Sequence, residues 1–283
     1  MNDNVAFIKA FTKNPKQGNP AGVLLEANST SDEKKQAIAT ELGFSESAFV
    51  EQSDIANFKV RFFSPTQEVD FCGHATVATF YTLLAAQKIK PTKTEPLVVT
   101  QETGIGVLPV TCYEDGKIMM TQQKPEFAEI FTDRAQFAHM IGINPKDLGD
   151  QPIQIVSTGS RQLVIPVNNL EILKTIQPNK DEIIEHSIRY DHAGVCAVTA
   201  EGFTASGDLA TRNFAPKYGI DEDPATGIAA GLLGWYGDMY FFNQQKKHLT
   251  IEQGFAMDAA STIFVDITDG TLVGGYACEF KNM

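Results

Sequence analysis

The sequence predicts an α+β fold of two pseudo-symmetric domains, each a curled, mainly antiparallel sheet wrapped around one central apolar helix. Three observations carry this expectation. Short β-branched and aromatic runs bounded by turn residues outnumber helical patterns along most of the chain. Two helical segments, 75–86 and 225–236, each run twelve residues without a charge. A helix with no polar face has to be enclosed, and twelve residues are too few to cross a bilayer, so the strands are the available wrapping. The surroundings of these two segments also recur. Arg61-Phe62-Phe63-Ser64-Pro65 stands against Arg212-Asn213-Phe214-Ala215-Pro216, each Pro precedes an Asp (70 and 221) by five residues, and Ala75-Thr76 matches Ala225-Thr226, at offsets of 151 and then 150 residues. A weaker echo joins Thr103-Gly104 and Leu108-Pro109-Val110 to Thr158-Gly159 and Ile165-Pro166-Val167. A repeat at half the chain length means two similar domains, not a solenoid. They are expected at 1–118 and 119–270.

In chain order, strands are expected at 5–11, 21–26, 48–52, 57–63, 97–101, 105–112, 153–157, 162–167, 193–199, 209–214, 248–252, 262–267 and 271–280. A surface helix is expected near 31–42, where Thr30 and Glu33 have capping-box spacing and Gly43 suits a left-handed terminus. Further surface helices are expected near 133–141, with Thr132 as N-cap, and near 181–189.

Composition excludes several classes of function. Thirty-five Asp and Glu against 23 Lys and Arg give the 283-residue chain a formal charge of −12, which repels nucleic acid and anionic membrane surfaces. The start, Met-Asn-Asp-Asn-Val-Ala-Phe-Ile-Lys, has no basic segment followed by an apolar one, so a cytoplasmic protein is expected. Cysteines at 72, 112, 196 and 278 form no Cys-x-x-Cys pair, and the histidines at 74, 139, 186, 192 and 248 form no His-x-x-x-His pair. P-loop, dinucleotide-binding and Gly-x-Ser-x-Gly patterns are absent as well. No metal and no cofactor is expected.

The repeat directs attention to two loops at helix N-termini, 70–74 and 221–227. Such an end presents unpaired N–H groups and about half a positive charge. Two of them opening on a cleft between domains would hold an anion, most simply a substrate carboxylate, with Gly73 and Gly227 permitting close approach. The alternative is that Asp70, Asp221 and Thr226 only cap helices. A carboxylate held this way is also where negative charge grows when a proton leaves the neighbouring carbon, so proton transfer at carbon is the natural reaction. Glu46, a lone carboxylate in Gly43-Phe44-Ser45-Glu46-Ser47-Ala48-Phe49-Val50, is the candidate base, and His74 a candidate relay.

At this level of detail the chain resembles the phenazine-biosynthesis PhzF-like isomerases, which share the diaminopimelate-epimerase and proline-racemase type of fold. The resemblance runs nearly end to end. It rests on Gly18-Asn19-Pro20-Ala21-Gly22-Val23, Phe44-Ser45-Glu46-Ser47-Ala48-Phe49, Phe63-Ser64-Pro65, the segment 70–76 and the segment 221–227. It implies a C-terminal strand, 271–283, that returns to the first domain. It further implies Glu46 as general acid/base, Gly73 and His74 holding and protonating substrate, and Asp223 contacting substrate, with Ser45, Asp70, Thr226, Gly227 and Ile228 completing the binding set. A homodimer is expected from the same resemblance. Diaminopimelate epimerases use two opposed cysteines, whereas this chain has Cys72 before Gly73 and no cysteine near Gly227, so one carboxylic acid working on one face of the substrate suits it better. Two positions depart from the family's usual pattern. Ile228 stands where Ser is common, and Gln253-Gly254-Phe255-Ala256-Met257-Asp258-Ala259-Ala260-Ser261 lacks the arginine of Gln-Gly-x-x-Met-Gly-Arg-Pro-Ser.

The expected function is therefore a cofactor-independent isomerase or epimerase acting on a small carboxylate-bearing metabolite. The rival expectation, motivated by Ile228 and the missing arginine, is a catalytically degenerate small-molecule binding or regulatory protein that keeps the same pocket.

Overall fold

The computed structural model describes residues 5–281, so residues 282 and 283 of the expected returning strand lie outside the described part. Its chain forms two compact units, one running to Thr121 and resuming at Gly274, the other Gln122–Val273. The first unit contains β1 (Ala6–Ala10), β2 (Asn19–Leu24), α1 (Asp32–Leu42), β3 (Glu46–Glu51), β4 (Phe58–Phe63), β5 (Glu68–Val69), α2 (Gly73–Ala85), β6 (Leu97–Thr103), β7 (Gly106–Cys112) and β8 (Ile118–Gln122), whose last residue begins the second unit. The second continues with β9 (Glu126–Phe131), α3 (Arg134–Met140), β10 (Ile153–Ser157), β11 (Arg161–Pro166), α4 (Leu170–Thr175), α5 (Lys180–Arg189), β12 (Gly194–Thr199), β13 (Leu209–Ala215), β14 (Ile220–Asp223), α6 (Gly227–Tyr240), β15 (His248–Gln253) and β16 (Ser261–Asp266). Within β17 (Thr271–Gly275) the chain passes back to the first unit, where β18 (Ala277–Glu279) pairs antiparallel with β1.

Both units have the same topology. In the first, the strands pair in the order β18-β1-β2-β3-β4-β6-β7-β8, with β2/β3 and β4/β6 parallel and the rest antiparallel. The second pairs β9-β10-β11-β12-β13-β15-β16, with β11/β12 and β13/β15 parallel. Each has a short hairpin strand, β5 on β4 and β14 on β13, immediately before its apolar helix. The parallel pair that follows each helix begins at Phe58 opposite Gln101 and at Leu209 opposite Ile251. These positions keep the sequence offsets of 151 and 150 residues, and so does a hydroxyl-to-carboxylate bond, Ser53 to Glu102 (2.6 Å) and Thr204 to Glu252 (2.5 Å). Arg61 reaches Glu68 across the β4–β5 hairpin, as Arg212 reaches Glu222 across β13–β14 (2.7 Å each).

The helices that carry the two uncharged runs are the centres of their units, and the one charge within α6, Asp238, is buried and paired with Lys247. Helix α2 packs on β1, β2, β3 and β18, and α6 on β10, β15 and β16. In α2 the residues 74–80 are all buried. Full burial of a side chain such as Phe80 or Leu83 contributes roughly 1.5–3 kcal/mol. The three threonines on this helix remain compatible with burial because each hydroxyl donates back four residues, to the carbonyls of Cys72, Ala75 and Ala78 at 2.7–2.8 Å. In α6 it is glycine that lets the sheet approach, since a Cβ at Gly234 would stand 2.6 Å from Val265 Cγ1. Among the described residues, no helix is long and apolar enough to span a membrane.

Several expected boundaries shift for local reasons. Ser31, not Thr30, caps α1, accepting from the Lys34 N–H at 3.3 Å, and the helix then opens on Asp32, which Arg61 holds bidentately at 2.5 and 3.0 Å. Asp133, not Thr132, caps α3, taking the Gln136 N–H. Helix α2 starts two residues earlier and α6 two residues later than expected, because the uncharged runs do not mark the first helical turn. Strand 271–280 is two strands broken at Tyr276. The strands β5, β8, β9 and β14 and helix α4 are short or flanked by charge, and periodicity does not flag them.

A buried histidine pair in the second unit fixes its own tautomers. His192 Nδ1 faces the Gly194 carbonyl at 2.9 Å, and a carbonyl only accepts, so that nitrogen carries the proton. His192 Nε2 must then accept from His186 Nδ1 at 2.8 Å, which leaves His186 Nε2 a bare lone pair with no partner among the described residues. Both groups are held down to about 4, His186 by burial and then by Arg189, His192 by burial and then by His186. A histidine whose folded value lies below its unfolded value of about 6.5 contributes stability above that value and loses it as pH falls. The urea midpoint should therefore hold between about pH 8 and 7 and fall steadily from about pH 6.5 toward 4. A smaller fall in His186→Leu would trace it to this pair, and a flat profile would refute the assignment.

Candidate active site

In the first unit, the first residue of β3 and the first turn of α2 bring three reactive side chains together. The parallel pairing of Ala21 with Glu46 starts β3 at Glu46, whose carboxylate keeps 20 % exposure, while the next residue, Ser47, is buried. Cys72, in extended conformation, is the N-cap of α2, followed by Gly73 and His74 as the first helical residues. Glu46 Oε2 lies 3.5 Å from Cys72 Sγ and 3.6 Å from His74 Nε2. Cys72 Sγ is 3.3 Å from His74 Nδ1, and Ser45 Oγ is 3.4 Å from His74 Nε2. His74 and Cys72 are both more than nine-tenths buried.

The helix end beside this cluster has no side-chain cap and no acidic residue in its first turn. No acidic side chain of the helix's own first turn therefore offsets its partial positive charge. The equivalent end of α6 in the second unit also lacks a side-chain cap and a first-turn acid. There Thr226, the N-cap, donates its hydroxyl to Asp223 Oδ2, and its hydroxyl oxygen accepts no N–H from the helix. The expectation that Asp70, Asp221 and Thr226 merely cap these helices does not fit either end.

Gln253 organises the α6 loop. Its Oε1 accepts the Thr226 N–H at 3.1 Å, and its Nε2 donates to the Asp223 carbonyl at 2.7 Å and to Thr226 Oγ1 at 3.0 Å. Gln122 Nε2 donates to the Gly227 carbonyl at 2.9 Å, and Gln122 Oε1 accepts from the Thr158 hydroxyl at 2.8 Å.

Known proteins resemble this chain over most of its length. Residues 8–279 match the family model of phenazine biosynthesis-like proteins, PhzC-PhzF. The chain belongs to this family. The "uncharacterized isomerase YfhB" of Bacillus subtilis is 37% identical over 255 residues, covering 88% of this chain and 85% of that protein. The trans-2,3-dihydro-3-hydroxyanthranilate isomerase of Pseudomonas aeruginosa is 30% identical over 236 residues, 80% of this chain and 76% of that one. Among solved structures, the Bacillus anthracis PhzF-family protein has a TM-score of 0.86 at 32% identity, covering 98% and 96% of the two chains. A probable proline racemase from Agrobacterium radiobacter, at 11% identity and a TM-score of 0.63 over 99% and 92%, shares the fold alone. The protein is thus a PhzF-family isomerase with an epimerase-like fold.

Within this isomerase the residues singled out from sequence fall into separate groups. Ser45, Glu46, Gly73 and His74 belong to the first-unit cluster, and Asp223, Thr226, Gly227 and Ile228 to the start of α6. Asp70 stands elsewhere: it is exposed, its carbonyl accepts the Gly104 N–H at 2.9 Å, and it lines a cavity with Lys59, Arg61 and Glu68. Ile228 is half-buried, its carbonyl 3.4 Å from the Thr158 hydroxyl. Where the family pattern has a glycine, Asp258 adopts a left-handed backbone (φ 53°), and Ala259 occupies the place of the arginine. Sequence reasoning passed over Cys72 and Gln253 as members of the two groups. Cys72 sits in a segment that carries the resemblance and Gln253 in one that departs from it, but only the folded chain turns their side chains onto Glu46 and Thr226.

Gln253→Leu should cost about 1–3 kcal/mol, because it leaves the Thr226 N–H and the Asp223 carbonyl without their side-chain partner. Urea unfolding at neutral pH would measure this, and a change within error would show that the α6 loop does not depend on Gln253.

Proposed function

We propose that this chain is a cofactor-independent isomerase that moves a proton at carbon in a small carboxylate-bearing metabolite. The observation that carries the reading is the Glu46 carboxylate, 3.5 and 3.6 Å from Cys72 and His74, beside a helix end that no side chain caps. In this reading Glu46 takes a proton from a carbon of the substrate, the electron pair spreads toward the substrate's carboxylate as an enolate-like system, and Glu46 returns the proton to a second carbon on the same face. No net redox change occurs. His74 stabilises the charge on Glu46 or relays its proton, and the unpaired N–H groups of the first turn of α2, beginning at Gly73, hold the anionic group. Ser45 orients the His74 ring. In the second unit, Asp223, Thr226, Gly227 and Ile228 are assigned to substrate contact, with Asp223 kept in place by Thr226 and Gln253. The P. aeruginosa relative is named for a dihydro-hydroxyanthranilate, itself a carboxylic acid, and that agrees with the substrate class.

A second reading, a binding protein without turnover, is favoured by Ile228, which supplies no hydroxyl at the start of α6. Proton NMR in deuterated water with pooled amino and cyclic carboxylic acids separates the two. The isomerase reading expects loss of a carbon-bound proton signal, and a roughly 10²–10⁴-fold slower loss in Glu46→Gln. Undiminished exchange in that variant would remove Glu46 from the mechanism. Thermal stabilisation by a pool member that never exchanges would favour the binding protein.

We also assign the chain a homodimeric state from its family resemblance, and a solution mass of a single chain by light scattering would overturn it.

A further inference from the structure

Glu46, Cys72 and His74 form more than an acid/base cluster. Their donor atoms, one carboxylate oxygen, one sulfur and one imidazole nitrogen, all lie within 4.8 Å of one another. That donor set is the borderline-soft mixture that zinc takes in proteins. For metal–sulfur bonds of about 2.3 Å and metal–nitrogen or metal–oxygen bonds of about 2.0–2.1 Å at tetrahedral angles, the donor–donor edges are about 3.3–3.6 Å. The corresponding separations are 3.5 Å for Cys72 Sγ to Glu46 Oε2, 3.6 Å for His74 Nε2 to Glu46 Oε2 and 3.9 Å for Cys72 Sγ to His74 Nε2. Cys72 Sγ also lies 3.3 Å from His74 Nδ1, so a cation on Nε2 draws the donors in only if the His74 ring turns its Nε2 lone pair toward the sulfur. Ser45 Oγ, 3.4 Å from the same His74 nitrogen, borders the fourth position.

We propose that this cluster is a binding site for a single thiophilic divalent cation, zinc before others, and that the bound cation inhibits the enzyme. Binding releases the Cys72 thiol proton to solvent and takes one lone pair each from the Cys72 thiolate, His74 Nε2 and Glu46. A Glu46 carboxylate oxygen that is bound to a cation no longer accepts a proton from carbon, and the cation fills the space beside the α2 N-terminus. The inhibitory half of the proposal rests on the isomerase reading, whereas the site itself rests on geometry alone. The other fully buried thiols are not comparable: burial pushes Cys112 and Cys196 up to about 12. No histidine or carboxylate joins either of them in a three-donor group among the described residues.

Titration of Co²⁺ into the reduced, chelator-stripped full-length chain tests the site without any substrate. One equivalent should produce a thiolate-to-cobalt charge-transfer band in the near ultraviolet with the intense visible bands of a tetrahedral site, and Zn²⁺ should displace it. Cys72→Ser should abolish the charge-transfer band. His74→Gln and Glu46→Gln should weaken binding by at least the roughly 10–100-fold that loss of an outer-shell partner costs, and Cys112→Ser should change nothing. No saturable binding, or a band that survives Cys72→Ser, overturns the site. If Cys72→Ser fails to fold, mapped alkylation of the unaltered chain decides instead: Zn²⁺ must shield Cys72 while Cys278 stays reactive, and an unshielded Cys72 overturns the proposal. For inhibition, saturating Zn²⁺ should stop the Glu46-dependent proton exchange and a chelator should restore it. Exchange that continues with zinc bound overturns the inhibitory role. A metal-free chain with no exchange at all tells against the isomerase reading, while the cobalt spectrum still decides the site.

Discussion

The structure depends on enclosing two helices that are apolar on almost every side. An amphipathic helix can rest on one layer, but α2 and α6 expose too little polar surface to tolerate water on most of their length. Each therefore needs strands on several sides, and each unit supplies them by curling its own sheet. The choice of residues follows from that enclosure. Threonine is tolerated in α2 because its hydroxyls return to the carbonyls one turn back, and glycine is used in α6 where Val265 lies against the helix backbone. Backbone hydrogen bonds inside a buried helix are satisfied along its middle, so the unmet groups are concentrated at its ends.

That concentration is why the candidate chemistry sits where it does. An enclosed helix whose first turn carries no acid and receives no cap exposes N–H groups with a partial positive charge at one spot. In the first unit this spot lies beside a carboxylate, an imidazole and a thiol; in the second, Asp223, Thr226 and Gln253 are tied to one another in a closed set of hydrogen bonds. The two ends are topologically equivalent but chemically different. The repeat accounts for the shared scaffold, and the side chains at 72–74 and 223–228 make the difference between the two ends.

The repeat was legible because its marks are local in sequence: an arginine on a strand, a proline, an acid, and then an uncharged helix. The folded chain gives these marks a physical basis, since Arg61 and Arg212 each close a hairpin with a glutamate and the strands after each helix resume at the same offset. Helix starts were less legible. Ser31 and Asp133 displaced the neighbouring threonines because the cap is chosen by which side chain meets the N–H three residues on, and Asp32 is further fixed by an arginine that is distant in sequence. Asp70 read as part of the helix-end loop, yet its backbone is engaged by Gly104, a partner that only the β6–β7 turn brings near.

By itself the sequence determined the class of fold, the two-part architecture, the enclosed helices and the family, and it offered Glu46 as a candidate carboxylate. Each of these follows from periodicity, charge or a contiguous motif, which are properties of neighbouring residues. Tertiary structure alone decided that Cys72 completes a three-donor group with Glu46 and His74, that Gln253 holds the loop before α6, and that His186 and His192 share one hydrogen bond in a buried pair. These depend on groups 2 to 30 residues apart in sequence, brought together by strand register and helix entry angle. Metal-ligand spacing rules search one turn of helix or one tight loop, so a site assembled from the start of a strand and the start of a helix escapes them.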